Sequence, residues 1–326
     1  MMVRENTSWL RMLLMVRGSS IVKTWPRLIF VTAVAWVVTW AHDTYGWFET
    51  NLTLAPFSLI GLALGIFLGF RNNTSYDRFW EGRKLWGRVV NASRTLTRQM
   101  MTLVGTGDVG SDYRTSLKGE DGASPELTEL HRSLVYRVIA YVHALRLHLR
   151  DQDRLEELAP FLSEKETAEL KPELNRPIAL LQRIGAELRR AYDAGMIHAM
   201  HLPVLEQSLT ELAGVQGGCE RIKATPIPFS YNILLHRIVF VYCFTLPFGL
   251  VDLPGMGPYT PAVVLLVSYA FFGLDAVGDE IENPFGEDPN DLPLSSITRM
   301  IETNLRQRLG ETDLPEPVKP VRGVLI

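Results

Sequence analysis

The sequence IGLALGIFLGF at residues 60–70 continues without a break into RNNTSYDRFWEGRKLWG at residues 71–87. Two sets of residues recur every four positions in the first part: the glycines Gly61, Gly65 and Gly69, and the bulky apolar residues Leu62, Ile66 and Phe70. In a helix each set lies on one face, and the two stripes are about 100° apart. An apolar segment suited to a bilayer therefore runs directly into a basic, aromatic helix.

The composition excludes several classes of protein. The chain has 326 residues, of which 47% are hydrophobic and 21% charged, and its net charge of −3 argues against nucleic acid as a partner. Its two cysteines, Cys219 and Cys243, lie in a polar and an apolar setting respectively, so we expect no disulfide framework. We find no glycine-rich phosphate loop, nucleophile elbow or paired catalytic carboxylates, and therefore predict that the protein is not an enzyme.

Four apolar segments are candidates for crossing a membrane, at residues 26–41, 52–70, 227–250 and 260–274. Crossing a bilayer takes about 20 residues, so the first and fourth segments must draw on their flanking turns. The third segment contains His236 and Arg237, and such residues within a span usually face protein or water. The pattern predicts an all-α, polytopic membrane protein with four transmembrane helices in two hairpins.

The placement of basic residues predicts the orientation of these spans. Residues 1–27 carry Arg4, Arg11, Arg17, Lys23 and Arg27, whereas 42–51 and 251–260 contain no lysine or arginine. Because cytoplasmic segments are enriched in basic residues, we expect both termini and the middle of the chain inside the cell. The predicted divisions are a cytoplasmic N-terminal segment 1–25, a first hairpin 26–70, a cytoplasmic helical region 71–226, a second hairpin 227–274, and a cytoplasmic acidic turn, helix and tail 275–326.

The middle of the chain is predicted to be a helical bundle. Residues 78–104 continue the second apolar segment as a helix, and Ser124-Pro125 begins another with an N-cap and a proline at its first position. Apolar residues then keep helical spacing as far as Leu149. Further helices are predicted near 164–171, 177–193 and 203–217, and the proline-rich tail 312–326 is predicted to be extended.

The stripe of Leu62, Ile66 and Phe70 has two interpretations. It either faces lipid or a neighbouring subunit, or it lines a narrow shared axis as the wall of a pore. The glycines beside it would allow close helix packing, and a hydrophobic constriction can gate ions by dewetting. No charged residue lies on the stripe, so it does not by itself determine the sign of the ion.

The basic helix after Phe70 also has two interpretations. Its basic residues are Arg71, Arg78, Arg83, Lys84, Arg88, Arg94 and Arg98. They either anchor the helix at the membrane interface and pair with Asp77 and Glu81, or they form an electrostatic funnel that concentrates anions below a pore.

The segment 282–292, ENPFGEDPNDL, groups carboxylate and amide oxygens around a glycine turn. Oxygen clusters of this kind can bind Ca²⁺, although the spacing is not that of an EF-hand. The alternative is a helix N-cap followed by a solvated acidic turn.

Four pieces of the chain, in this order, resemble the bestrophin family and in particular its bacterial branch. They are Ala55-Pro56-Phe57-Ser58-Leu59 with the helix that follows as far as Asn72, the stretch from Tyr76 to Gly87, the stretch from Gly217 to Phe229, and Asn283-Pro284-Phe285-Gly286-Glu287-Asp288. The resemblance implies a homopentameric, mostly helical ion channel with a central pore in the bacterial inner membrane. Its partners would be its own copies, the lipid bilayer and permeating monovalent ions.

Carried onto this sequence, the resemblance places the hydrophobic neck of the pore at Leu62, Ile66 and Phe70. A second, cytosolic constriction would lie in Asn175-Arg176-Pro177-Ile178, with Ile178 favoured and Pro177 the alternative. Family members are chloride-permeable by default, while bacterial relatives can pass cations such as sodium and potassium. A membrane-anchored helical scaffold or sensor is the alternative that is not a channel.

The resemblance also bears on metal binding. Animal members bind Ca²⁺ at the acidic turn, where this chain has Glu287, Asp288 and Asp291 but is interrupted by Pro289 and Asn290. We expect that no cofactor is required, with Ca²⁺ at these three carboxylates as the one candidate.

Overall fold

The computed structural model describes residues 1–2, 15–16, 18–48, 54–105 and 125–325. Three of the basic residues that predict the orientation lie outside the described residues: Arg4, Arg11 and Arg17. The predicted N-cap Ser124 and most of the loop before it also lie outside them.

The described residues form nine α-helices, which confirms the all-α prediction, and their only β-structure consists of isolated bridges. The helices are α1 (Ile21–Tyr45), α2 (Leu54–Leu103), α3 (Pro125–Leu149), α4 (Glu164–Leu170), α5 (Arg176–Asp193), α6 (Leu202–Ala224), α7 (Phe229–Leu250), α8 (Thr260–Glu282) and α9 (Leu294–Arg308).

Helix α2 is the longest of the described helices. It contains 50 residues, which corresponds to about 75 Å at 1.5 Å per residue, and joins the apolar stripe to the basic stretch without a break. Pro56, its only proline, lies in the first turn, where the missing N–H has no intrahelical partner to lose. The prediction that residues 78–104 continue the second apolar segment is confirmed.

The four apolar helices α1, α2, α7 and α8 pack around a small core that includes Val31, Leu68 and Phe272. Each is long and apolar enough to cross a membrane. Helix α8 contacts α1, α2 and α7, and α1 packs mainly on α8. The two helices of the predicted first hairpin are therefore held together chiefly through α8 rather than against each other.

Two of the predicted boundaries were too short. Helix α1 begins at Ile21 rather than at residue 26, and α8 ends at Glu282 rather than at residue 274. Lys23 and Asp275 lie just beyond the predicted segments, and in the folded chain both are paired. Lys23 lies 2.9 Å from Asp288, and Arg27 lies 3.5 Å from Asp275.

A larger core lies between the polar half of α2 and helices α3, α5, α6 and α9. Trp86 and Tyr141 are fully buried there, and the Tyr141 hydroxyl donates a hydrogen bond to the Leu212 carbonyl at 2.9 Å. Cys219 and Cys243 are both buried free thiols. The tail after α9 is extended, and the Leu325 N–H donates to the Met1 carbonyl at 2.9 Å, so the two described chain ends meet.

Candidate functional site

The predicted stripe on α2 is uncovered in the single subunit. Leu62, Ile66 and Phe70 are 66%, 51% and 62% exposed, whereas Leu64 and Leu68 on the opposite side of the helix are buried. Phe70 follows Leu62 by eight residues, so the stripe extends over about 12 Å along the helix axis. An apolar face of this kind is stable only against lipid, another protein surface or a narrow dewetted space.

The glycines beside the stripe do not share one environment. A Cβ on Gly61 would lie 2.6 Å from the hydroxyl oxygen of Tyr242 on α7, so Gly61 is needed for packing inside the subunit. At Gly65 and Gly69 the corresponding position meets no atom within 4 Å from the described residues, apart from the adjoining backbone of the same helix. The role of these two glycines in packing between subunits stays a prediction.

The predicted second constriction lies at the start of α5. The Asn175 side chain caps this helix by accepting the Ile178 N–H at 3.3 Å, and its amide donates to Glu220 at 3.0 Å. Pro177 points into the subunit and is buried, whereas Ile178 is 44% exposed. Of the two candidates, Ile178 is therefore the side chain that is available to line a passage.

The acidic turn separates its three carboxylates. Glu287 accepts a hydrogen bond from Gln152 at 2.9 Å, Asp288 pairs with Lys23 at 2.9 Å, and the Asp291 side chain accepts the Asp288 N–H at 2.7 Å. Ca²⁺ requires six to eight converging oxygen ligands. Each of the three carboxylates has its own donor here, and Ca²⁺ binding at this turn stays a prediction.

Burial is the dominant influence on Asp291. It raises the pKa of this carboxyl to about 7, because the backbone N–H of Asp288 only partly compensates for the loss of water. One of its oxygens, Oδ1, is buried without a hydrogen-bond partner. The Asp291 carboxyl is therefore suited to carry a proton.

One interpretation of the basic helix pairs its basic residues with Asp77 and Glu81, and for Glu81 the structure shows a different partner. Glu81 pairs with Arg221 of α6 rather than with an arginine of α2, and Arg78 donates to backbone carbonyls, including that of Glu282 at 3.0 Å. Arg71 is fully buried and bonded to Asp275 of α8. His236 faces protein, as predicted, while Arg237 is exposed.

Comparison with known proteins agrees with the resemblance. The family model described as "Bacterial/Fungal Bestrophin protein" matches residues 1–307. A Ralstonia nicotianae protein named as a voltage-dependent anion channel-forming protein is 39% identical, with 96% of each chain covered. The similarly named YneE of Escherichia coli is 37% identical, with 99% of this chain and 98% of YneE covered.

A solved structure supports the same conclusion. The crystal structure of a bacterial bestrophin homologue from Klebsiella pneumoniae matches with a TM-score of 0.76 and 35% identity, and the match covers 87% of this chain and 98% of that one. The protein described here is therefore a multi-pass membrane protein that belongs to the bestrophin family, in its bacterial and fungal branch.

Proposed function

We propose that the chain assembles as a homopentamer around a central pore and passes small monovalent anions passively across the bacterial inner membrane. The observation that carries the proposal is the uncovered stripe of Leu62, Ile66 and Phe70 on an unbroken 50-residue helix. One such helix from each subunit would enclose a hydrophobic neck, where ions must shed water in order to pass. Both termini would lie in the cytoplasm, as the placement of basic residues predicts.

The polar half of the same helix supports an anion rather than a cation as the permeating ion. Arg94 and Arg98 of α2 and Arg308 of α9 line a cavity of about 570 Å³, and among the described residues no acidic side chain lines it. Among the described residues, Arg98 and Arg308 form no ion pair. Unpaired guanidinium groups raise the local concentration of anions. The anion channels named among the relatives point the same way.

Reconstitution of the purified chain into liposomes tests the proposal. The double substitution Leu62→Ala with Ile66→Ala widens the neck, and we expect the initial chloride flux to rise several-fold. Leu266→Ala is the matched control, since Leu266 is equally exposed but lies on α8. The absence of current from both wild type and the widened variant would contradict a channel and favour the scaffold or sensor.

Two further measurements test the ion selectivity and the number of subunits. The reversal potential in a salt gradient should shift toward the chloride Nernst potential, and a shift toward the potassium potential would show the cation-permeable alternative. Native mass spectrometry of the purified protein should give five copies per particle, and any other number would contradict the pentamer.

A further inference from the structure

Arg71 follows Phe70 directly and is a buried charge in the apolar part of the protein. Its side chain is fully buried, although it lies at the end of the stripe proposed to form the neck. A buried guanidinium is tolerated only when carboxylates and hydrogen bonds compensate for the lost water. The compensating groups therefore constrain where this part of α2 can lie.

These groups come from helix α8. Arg71 Nη1 donates to Asp275 Oδ1 at 2.6 Å, and Nη2 donates to the Asp275 carbonyl at 3.3 Å and to the Asp279 carboxylate. Gly278 lies at this close approach, where a Cβ would meet the Asn72 side-chain oxygen. The Asn72 amide adds a hydrogen bond to the Leu274 carbonyl at 3.1 Å. Two consecutive residues of α2 are thus tied to one face of α8.

The other oxygen of Asp275 connects the remaining two apolar helices. His236 Nδ1 of α7 lies 2.8 Å from Asp275 Oδ2, and Arg27 Nη1 of α1 lies 3.5 Å from the same atom. Asp275 is only 1% exposed, so all four apolar helices meet at one buried carboxylate.

We propose that Asp275 is a positioning residue for the neck: through Arg71 it fixes the rotation and height of α2 and so directs Phe70 toward the pore axis. The proposal rests on the proposed function of the stripe. If Asp275 loses its charge, Asp279 is the one carboxylate left to Arg71, and the less compensated guanidinium is expected to shift toward Asp279 and water. Phe70 is the preceding residue on the same rigid helix, so it moves with Arg71.

A double-mutant cycle tests this coupling in the full-length protein in liposomes. The four proteins are wild type, Asp275→Asn, Phe70→Ala and the double variant, each compared by initial chloride flux at equal incorporation. We expect Asp275→Asn to raise the flux at least about threefold in the native neck and to have little effect once Phe70 is truncated, which is the non-additivity of coupled sites. An equal change in both backgrounds, or no change in either, would overturn the proposal.

The Phe70→Ala variant distinguishes a failure of the proposed neck from a failure of the proposed positioning role of Asp275. If Phe70→Ala leaves the flux of the wild type unchanged, the proposed neck is wrong, and the positioning role falls with it. If Phe70→Ala raises the flux but Asp275→Asn acts equally in both backgrounds, the neck stands and only the positioning role is wrong.

Glu302 of α9 provides a matched control. It is a buried carboxylate held by one histidine and two arginines, His143 at 3.2 Å, Arg299 at 3.4 Å and Arg306 at 3.5 Å, within the polar bundle. Glu302→Gln therefore removes a comparable charge, and we expect it to leave the flux unchanged in both backgrounds.

A milder variant keeps the test decisive if Asp275→Asn does not assemble. Asp279 is 40% exposed, and Asp279→Asn removes one partner of Arg71 while leaving Asp275 in place. Its flux should rise in the native neck and not in the Phe70→Ala background. Equal effects in the two backgrounds would again overturn the proposal.

Discussion

Gly61 of α2 lies directly against Tyr242 of α7: a Cβ on Gly61 would be 2.6 Å from the tyrosine hydroxyl oxygen and 3.2 Å from the ring carbon that carries it. The missing side chain is thus what allows the two helices to approach at this level. Helix α2 is held from one side by this contact, while its stripe residues remain uncovered on another.

Gly61→Ala should lower the apparent melting temperature of the purified protein, because either the tyrosine ring or α2 must move to accept the methyl group. The combined variant Gly61→Ala with Tyr242→Phe removes the nearest atom and should recover part of the loss. Thermal unfolding followed by intrinsic fluorescence checks both. A Gly61→Ala protein as stable as wild type would contradict the close contact.

Gly65→Ala tests the glycines that no described residue contacts. Within the subunit the added methyl meets nothing, so the fold of a single chain should be unaffected. If these helices pack closely between subunits, the substitution should instead weaken the assembly. The fraction of protein that remains in the oligomer on dilution, measured by mass photometry, distinguishes the two. An unchanged oligomer would show that Gly65 makes no close contact between subunits.

Helix positions could be predicted from the sequence because they depend on local patterns. Apolar length identified the four spans, and helical spacing identified α3 and α5 within a few residues and the start of α6, whose observed end at Ala224 lies seven residues beyond the predicted one. The ends of α1 and α8 could not be predicted. Lys23 and Asp275 look too polar for a span when read in isolation, and in the fold they are paired with Asp288 and Arg27.

The burial of Arg71 likewise could not be predicted from the residues next to it in the sequence. Its partner Asp275 lies 204 residues away in the chain, and nothing near Arg71 indicates burial. Spacing places Leu62, Ile66 and Phe70 on the face opposite Leu64 and Leu68, but both faces are apolar, so only the fold shows that the stripe is the exposed one.

Ile178→Ala should raise the chloride flux if Ile178 lines the second constriction, because a smaller side chain leaves a wider passage. Leu174→Ala is a suitable control, since Leu174 is also exposed and lies just before the same helix. Pro177→Ala should act differently and reduce stability, because Pro177 is buried and lies in the first turn of α5. Flux that is unchanged in Ile178→Ala would remove this residue from the path of the ion.

Chelation of Ca²⁺ should leave the flux unchanged, because Lys23 already supplies the positive charge for the acidic turn. Lys23 Nζ lies 2.9 Å from Asp288 and 3.5 Å from Glu280. The comparison is flux in excess EGTA against flux in added CaCl₂, with Lys23→Gln measured in parallel. A loss of flux in EGTA would contradict this expectation and restore the calcium site.

Asp291→Asn should stabilise the protein at neutral and alkaline pH. Burial raises the pKa of Asp291 to about 7, whereas an aspartate in the unfolded chain titrates near 3.9. Between these two values the unfolded chain has lost the proton that the folded chain keeps, so the stability of the wild type falls as the pH rises. Below about pH 4 both states are protonated, and above about pH 7 both are ionised.

The advantage of Asp291→Asn over the wild type should therefore grow from about pH 4 to pH 7 and then level off. The asparagine keeps an oxygen that can accept the Asp288 N–H, so the turn itself is preserved. Apparent melting temperatures of both proteins across this pH range check the prediction, with Asp313→Asn as a control on an exposed aspartate. A difference that is independent of pH would show that Asp291 is ionised in the folded protein throughout.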